Sequence, residues 1–418
     1  MQSSLRSDAL SRPAREIPVW DSFDVAVAGG GFAGAAAALA AARNGARACL
    51  IEKAFGLGGL GTLGHVITYL PLCDGRGRQV TFGIAEELLK LPCRYSGCRP
   101  PAPWQSPDTS TPQQRAAERY RMDYDPAPMS IGMERLLEDA GVEIIYDTLV
   151  VGVEKDAAGA ITHLVAENKS GAGAFAVKAV VDATGDADIC HLAGEKTYTA
   201  RENVRSAWYY QIDPERRVSI ATAVDNFYAP MRGGADAAGI QCFDGADYRS
   251  VTRQVIESRK LILEKVATEN KRRAAAGLAG EVHAFYAPYF HGFRMTRRLV
   301  SDYELSPADL HKWHPDAVGI FSDWRKSGPV YSLPFRALAT VNTPNLAAAG
   351  RCISSAGDLW DITRVIPVCS ASGEAAGIAA ALSALSNKAM RALPIEQLQS
   401  RLRAAGVQLS PKLVAEEA

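Results

Sequence analysis

Hydrophobic positions come in short blocks separated by glycines. Residues 23–28 (FDVAVA) form an apolar run that stops at a glycine cluster, the pattern of a strand buried on both faces of a parallel sheet. Residues 32–44 are rich in Ala and Leu, which favour helix, and Gly45 stops them. Residues 46–51 (ARACLI) read as a second buried strand. The pattern predicts strand, tight turn, helix and strand, with a right-handed crossover. Further along, 84–90 and 133–140 are expected as helices, and 142–146 as a strand. Residues 150–155 and 161–166 predict a hairpin, and 174–182 a strand running into ATGD. A long helix is expected within 248–275, and a late helix starting around Ser370 to Gly373 and running to Leu385. Residues 92–128, rich in Pro, Ser, Arg and Tyr, read as an irregular insertion. Residues 1–20 read as a polar arm without the apolar segment of a secretory signal.

Composition narrows the class. The 418 residues carry 46 Lys+Arg against 46 Asp+Glu, and 47% are hydrophobic, the proportions of an ordinary globular protein. Zero net charge removes the bulk attraction that nucleic-acid binders use, so no nucleic-acid partner is expected. The apolar stretch 25–51 is interrupted by Arg43, Asn44 and Arg47, so no membrane span is expected and a cytoplasmic location is. The eight cysteines are dispersed and do not resemble a disulfide framework. Cys93 and Cys98 alone are close, in LPCRYSGC. Two unrelated thiols is the favoured reading there, with a loop disulfide or redox pair left open. No metal site is expected.

The 36 glycines matter through their clustering. Gly29, Gly31 and Gly34 fit G-x-G-x-x-G directly after a strand, with Phe32 and Ala33 opening the helix. The first glycine allows the tight turn, the second lets a pyrophosphate approach the backbone, and the third permits close helix–strand packing. The helix N-terminus then offers free N–H groups and its positive dipole end to phosphates. Glu52 ends the second strand, where its carboxylate can accept hydrogen bonds from a ribose diol. The fingerprint alone does not choose between NAD and FAD. A second glycine loop at 56–64 (GLGGLGTLG) is costly as a regular element and should lie close to a ligand or another backbone. A third glycine, Gly350, precedes the late helix, whose N-terminus is expected near Gly373. Aimed at a flavin, that terminus would stabilise the negative charge of the reduced ring.

These motifs resemble the FAD-dependent oxidoreductases of the glutathione-reductase-like superfamily, and among them the family related to fumarate reductase and succinate dehydrogenase flavoproteins. The resemblance rests on 24–53, 55–64, 180–194 (VVDATGDADICHLAG) and 345–382, with a weaker match at HGFRMTRRL. It implies an α/β fold: a Rossmann-like FAD-binding domain with a three-layer parallel-sheet core, and an interleaved α+β substrate domain. The FAD domain would be discontinuous, from 21–66, 135–200 and 336–395. Residues 67–134 and 201–335 would face substrate, and 396–418 would be a C-terminal tail. By the resemblance, Gly29, Gly31 and Gly34 meet the pyrophosphate, Glu52 the adenosine ribose and Lys53 the adenine side. Gly58, Gly59 and Thr62 lie near pyrophosphate and flavin, and Thr184 and Gly185 flank the adenosine half. Gly350, Arg351 and Asp358 approach the ribityl chain, while Arg364, Gly373, Ala375 and Ala376 edge the flavin ring. Met295, Trp360 and Asp361 depart from the family pattern. His65 does not fall where relatives attach flavin covalently, so FAD is expected to be non-covalent.

Candidate chemistry follows from these positions. His65 closes the second glycine loop and is a candidate acid–base group, or a structural histidine. Arg294, Arg297 and Arg298 cluster in HGFRMTRRL, where Arg294 is the candidate for clamping a substrate carboxylate and Arg298 reads as salt-bridged. Arg364 could stabilise the reduced ring or hold substrate. Cys352 and Cys369 read as small buried thiols, and His311 and His314 as a surface loop. Trp208, Tyr209, Tyr210, Tyr286, Tyr289 and Phe290 line a pocket or form a core, with core favoured for most. The expected function is hydride transfer between a small or medium organic substrate and flavin N5, with NAD(P)H open as an electron donor. A flavin monooxygenase using NAD(P)H and oxygen, a non-catalytic FAD-binding protein and an NAD-binding protein remain alternatives.

Overall fold

The computed structural model describes residues 16–225 and 239–415. The expected N-terminal arm therefore lies mostly outside the described residues. Strand β1 (Val19–Ala28) is followed by helix α1 (Phe32–Arg43) and strand β2 (Ala48–Ile51). Strands β3 (Glu143–Ile145), β4 (Leu149–Lys155), β5 (Ile161–Asn168) and β6 (Gly171–Asp182) complete most of a seven-stranded sheet. Its order is β3-β2-β1-β6-β5-β4, with Leu346–Ala348 also paired to β6. β1, β2, β3, β6 and Leu346–Ala348 are parallel, whereas β4 and β5 add an antiparallel hairpin. Strand β6 is long enough to do both: Gly171–Ala176 pairs with the hairpin and Val180–Asp182 with Leu346–Ala348.

Alternation along β1 explains the layers. Val25 and Val27 enter a core with the helices on one face, while Ala26 and Ala28 enter a second cluster with Ile161 and Leu164 of the hairpin. α1 is buried from Phe32 to Ala41, so it shows no polar face and little amphipathy. Helix α2 (Pro126–Asp139) starts seven residues before the expected 133, because Pro126 occupies the first helical turn, where its missing N–H costs nothing. A second unit is a three-stranded antiparallel sheet of β7 (Ser206–Ile212), β8 (Val218–Val224) and β9 (His283–Tyr286), in the order β8-β7-β9. Helix α3 (Tyr248–Ala275) covers it, packing Leu261 and Ile262 on Ala207, Tyr209 and Ala223.

The late helix, α4, spans Ile366–Ser386. It therefore begins well before the expected Gly373. Pro367 sits in its first turn, where proline is tolerated, and did not mark a break. α4 is the one helix among the described residues long and apolar enough to cross a membrane, yet 89% of its most apolar window is buried inside the protein. It crosses α1 with no side-chain gap. A Cβ added at Gly373 would lie 2.1 Å from the Ala33 carbonyl oxygen, and one at Gly377 2.1 Å from that of Ala37. Ala375 and Ala376 are fully buried in the same helix.

Outside the sheet, residues 92–128 hold short helical turns and a stack of Trp104 on Tyr120 at 4.8 Å. The segment after 395 forms Ile395–Ala404, whose Leu398 and Leu402 join the main core. Because the α1–α4 crossing has no room for a methyl, Gly377→Ala should lower stability by about 3 kcal/mol or prevent folding. Denaturant unfolding tests this, and a wild-type midpoint would show that the helices can separate cheaply.

Candidate active-site cleft

A cleft of about 440 Å³ runs past the C-terminal ends of β2, β1, β6 and Leu346–Ala348. That is where open α/β sheets bind ligands. The β1–α1 turn forms its floor. Gly29 has φ of 101°, and its N–H donates to the Ile51 carbonyl at 2.8 Å. A Cβ at Gly34 would lie 1.8 Å from the Gly29 carbonyl oxygen, so Gly34 serves helix–strand packing and does not line the cleft. Gly31, Phe32 and Ala33 do line it, and space at Gly31 is open. No side chain caps the N-terminus of α1, so its first N–H groups need an outside acceptor.

Glu52 ties this turn to the end of β2. Its carboxylate is buried and accepts from the Gly30 N–H at 2.6 Å and the Ala54 N–H at 2.8 Å. A carboxylate has about four acceptor sites, so two remain while Glu52 also lines the cleft. The second glycine loop lies on the first. The Gly58 N–H donates to the Gly30 carbonyl at 2.8 Å, and Gly58 and Gly59 line the cleft with φ of 98° and 54°. Thr62 is buried behind them and closes the loop by donating its hydroxyl to the Leu57 carbonyl.

Asp182 organises the ATGD turn at the end of β6. Its carboxylate accepts from the Thr184 hydroxyl at 2.7 Å and the Cys190 N–H at 2.9 Å. Burial pushes its carboxyl above the ordinary carboxylate range. Thr184 and Gly185 line the cleft. Arg351, also a lining residue, donates to the Gly185 carbonyl at 2.8 Å and the Phe293 carbonyl at 2.5 Å and pairs with Asp186 at 2.8 Å. It thereby joins the sheet to the loop that follows β9.

The rest of the lining comes from that loop, from α3 and from the turn before it: Gly245, Val251, Val255, Tyr289, Phe290 and Arg294. Tyr289 is 61% exposed, so it and Phe290 are cleft residues rather than core, whereas Tyr209 is core. The Lys53 ammonium lies 5.8 Å from the Phe290 ring centre. Arg294 is buried, and burial with the nearby Arg364 pushes its guanidinium down to about 9, opposed by Asp361. It stays cationic at neutral pH. Arg364 pairs with Asp361 and lines the cleft beside Ile366 and Cys369 at the start of α4. Burial pushes the Cys369 thiol up to about 12. Asp188 on the β6 side is held up at about 6, first by burial and then by Asp186 and Asp182.

Several expected residues lie elsewhere. His65 is buried between Tyr210 and Tyr286, ring centres 5.0 and 5.2 Å away, with φ of 59°, and it does not line the cleft. Gly350 and Gly373 are absent from the lining because each presses backbone against Ala33. Ala375 and Ala376 lie inside α4. Asp358 is a surface acid gripping Arg325 at 2.5 and 2.7 Å. Arg298 pairs with Glu304 at 2.5 Å and sits over Tyr198 and Trp360. His314 is buried against Tyr303 and Asp309, correcting the expected surface position.

His291 went unread in the sequence. It is 6% exposed, lines the cleft, and neither ring nitrogen makes a hydrogen bond. Burial, then Arg259, push it down to about 4, opposed by the nearby Ser206 backbone. Its only sequence signal was its place three residues before Arg294.

The fold and cleft define a dinucleotide-binding α/β protein. The family model described as FAD dependent oxidoreductase matches residues 24–233 and 205–402, and the chain belongs to that family of enzymes. No curated protein matches. Among solved structures, the chain is similar to a geranylgeranyl bacteriochlorophyll reductase-like protein from Thermoplasma acidophilum, at 14% identity and TM-score 0.45, over 94% of this chain and 95% of that one. It is similar to adenylylsulfate reductase from Archaeoglobus fulgidus, at 15% identity and TM-score 0.45, over 94% and 74%. A flavocytochrome c3 fumarate reductase matches at 15% identity, with TM-score 0.40 over 88% and 79%. At this level of likeness they say nothing of substrate or reaction.

The cleft fits FAD: open backbone at Gly31, an uncapped helix start and spare acceptor capacity on Glu52. Glu52→Gln would turn an amide N–H toward a backbone N–H. It should raise the FAD dissociation constant about tenfold or more, about 1.4 kcal/mol. Fluorescence titration of the apoprotein tests this, and unchanged affinity would contradict it.

Proposed function

We propose that the enzyme exchanges a hydride between a small or medium-sized organic anion and a non-covalently held FAD. The observation that supports this reading is one cleft lined both by the glycine turns and by Arg294, Arg364 and His291, with Arg364 near Arg294. In this reading Gly29, Gly31 and the start of α1 meet the pyrophosphate. Glu52 meets the adenosine ribose, Lys53 the adenine side, and Thr184 and Gly185 the adenosine half. Arg351 approaches the ribityl chain. Residues 21–66, 135–200 and 336–395 form the cofactor domain, and 67–134 and 201–335 the substrate-facing one. FAD, when bound, supplies a two-electron acceptor or donor.

The chain's own residues do the rest. Arg294 and Arg364 orient an anionic group, since a buried cation gains most from a desolvated charge partner. Neutral His291, which lines the same cleft, takes the proton that leaves the substrate or returns it. His65, walled in by tyrosines, holds the second glycine loop. NAD(P)H is a candidate donor for the reductive direction, and a reducing compartment such as the cytoplasm suits eight free thiols.

Anaerobic flavin bleaching by a panel of carboxylates and their neutral amides tests the reading. Carboxylates alone should bleach, and bleaching by amides with equal efficiency would overturn the anion assignment. With the best substrate, His291→Asn should lower kcat about 100-fold or more at unchanged flavin content. A base works only unprotonated, so the wild-type acid limb should fall as pH drops toward 4, well below an ordinary histidine's 6.5. The variant should lose that limb. A variant with the same rate and limb would remove His291 from the mechanism.

A further inference from the structure

Cys93 and Cys98 lie apart from the cleft, in the turn Leu91–Arg94 and the loop after it. Their sulfurs are 3.5 Å apart, in van der Waals contact. Both are half-buried, unlike the buried Cys49, Cys73, Cys190 and Cys352. The approach is built into the backbone. The N–H groups of Tyr95 and Ser96 both donate to the Pro92 carbonyl, at 3.0 and 2.9 Å, which turns the chain back on itself. One Arg99 nitrogen donates to the carbonyls of Cys93 at 3.0 Å and Cys98 at 2.6 Å, clamping both cysteines from one side. The Ser96 hydroxyl lies 3.2 Å from the Cys98 sulfur, and Cys93 rests on the Met122 sulfur at 3.6 Å. The loop stands on α2, where a Cβ at Gly132 would lie 3.0 Å from the Tyr95 ring.

We propose that Cys93 and Cys98 are a reversible thiol–disulfide site, oxidised by a small-molecule disulfide such as oxidised glutathione. The Cys98 thiolate attacks one sulfur of the oxidant, whose S–S bond breaks and releases one reduced molecule. Cys93 then attacks the Cys98 sulfur of the mixed disulfide and releases the second. The protein loses two electrons and two protons, and two thiols of the oxidant are formed. Burial and the neighbouring Cys98 raise the Cys93 thiol above the ordinary range, so exchange at the pair speeds up as pH rises. Closure needs little movement, so the intramolecular step outruns accumulation of the mixed disulfide. Neither cysteine lines the cleft, so the site is independent of the flavin reading.

Peptide mapping of the full-length, flavin-loaded protein tests this. It is equilibrated anaerobically in a glutathione redox buffer, quenched in acid, alkylated and digested with trypsin without reduction. Lys90 and Arg94 are cleavage points, and Pro100 protects Arg99, so a closed pair holds peptides 91–94 and 95–115 together. The linked product should exceed either glutathionylated cysteine by about tenfold. It should vanish with dithiothreitol, return on reoxidation and survive in Cys242→Ser. Cys98→Ser should abolish the link. Two alkylated cysteines throughout the oxidising range, or mixed disulfides accumulating without the link, would overturn the proposal, and the wild-type map alone decides if the variant does not fold.

Discussion

The architecture depends on how closely backbone can approach the first turn of α1. Four segments converge there. The β1 turn folds under Gly34, the second glycine loop bonds to Gly30, the Gly350 turn presses on Ala33, and α4 crosses at Gly373. Each approach passes through a glycine with no room for a Cβ. Two of these glycines, Gly350 and Gly373, meet the same residue, Ala33. A side chain at any of these points would push one segment away and open the cleft. Gly34 and Gly373 thus pack against backbone carbonyls, Gly350 against the Ala33 methyl and Gly30 against the Leu57 and Glu52 side chains.

This convergence arranges charge around the cleft. α4 is held against α1, so Arg364, Ile366 and Cys369 arrive at the mouth of the cleft. The turn before it carries Arg351, which reaches across to Phe293 and fixes the loop that bears His291 and Arg294. Arg351 and Arg364 are matched by Asp186 and Asp361 on the protein itself. Arg294 is the most buried of the three, and that burial, with Arg364 nearby, lowers its guanidinium below the ordinary arginine range.

Much of the fold was legible because it is local. The run 23–28, the Ala-rich helix and the hairpin each declare themselves within about twenty residues. The start of α4 is not marked in the sequence, because Pro367 and the small residues after it look alike in a helix and in a turn. The three glycine loops were legible as a cofactor signature, but their individual duties were not. Gly350 and Gly373 read as ligand neighbours and pack against Ala33, because one-dimensional spacing cannot distinguish a protein neighbour from a ligand, whereas Gly34 packs helix on strand as its place in the motif implies. His65 sat next to a glycine loop in sequence and turned into an aromatic box. His291 acquired its position only through the pairing of β9 with β7, a contact between residues more than seventy positions apart.

The central claim is that this cleft holds FAD by shape and hydrogen bonding alone. Acid precipitation of the purified protein, followed by absorbance and mass spectrometry of the supernatant, tests it most directly. About one FAD per chain should be released intact, leaving colourless protein. Release of NAD, or a protein that neither carries FAD nor takes it up when added, would contradict it.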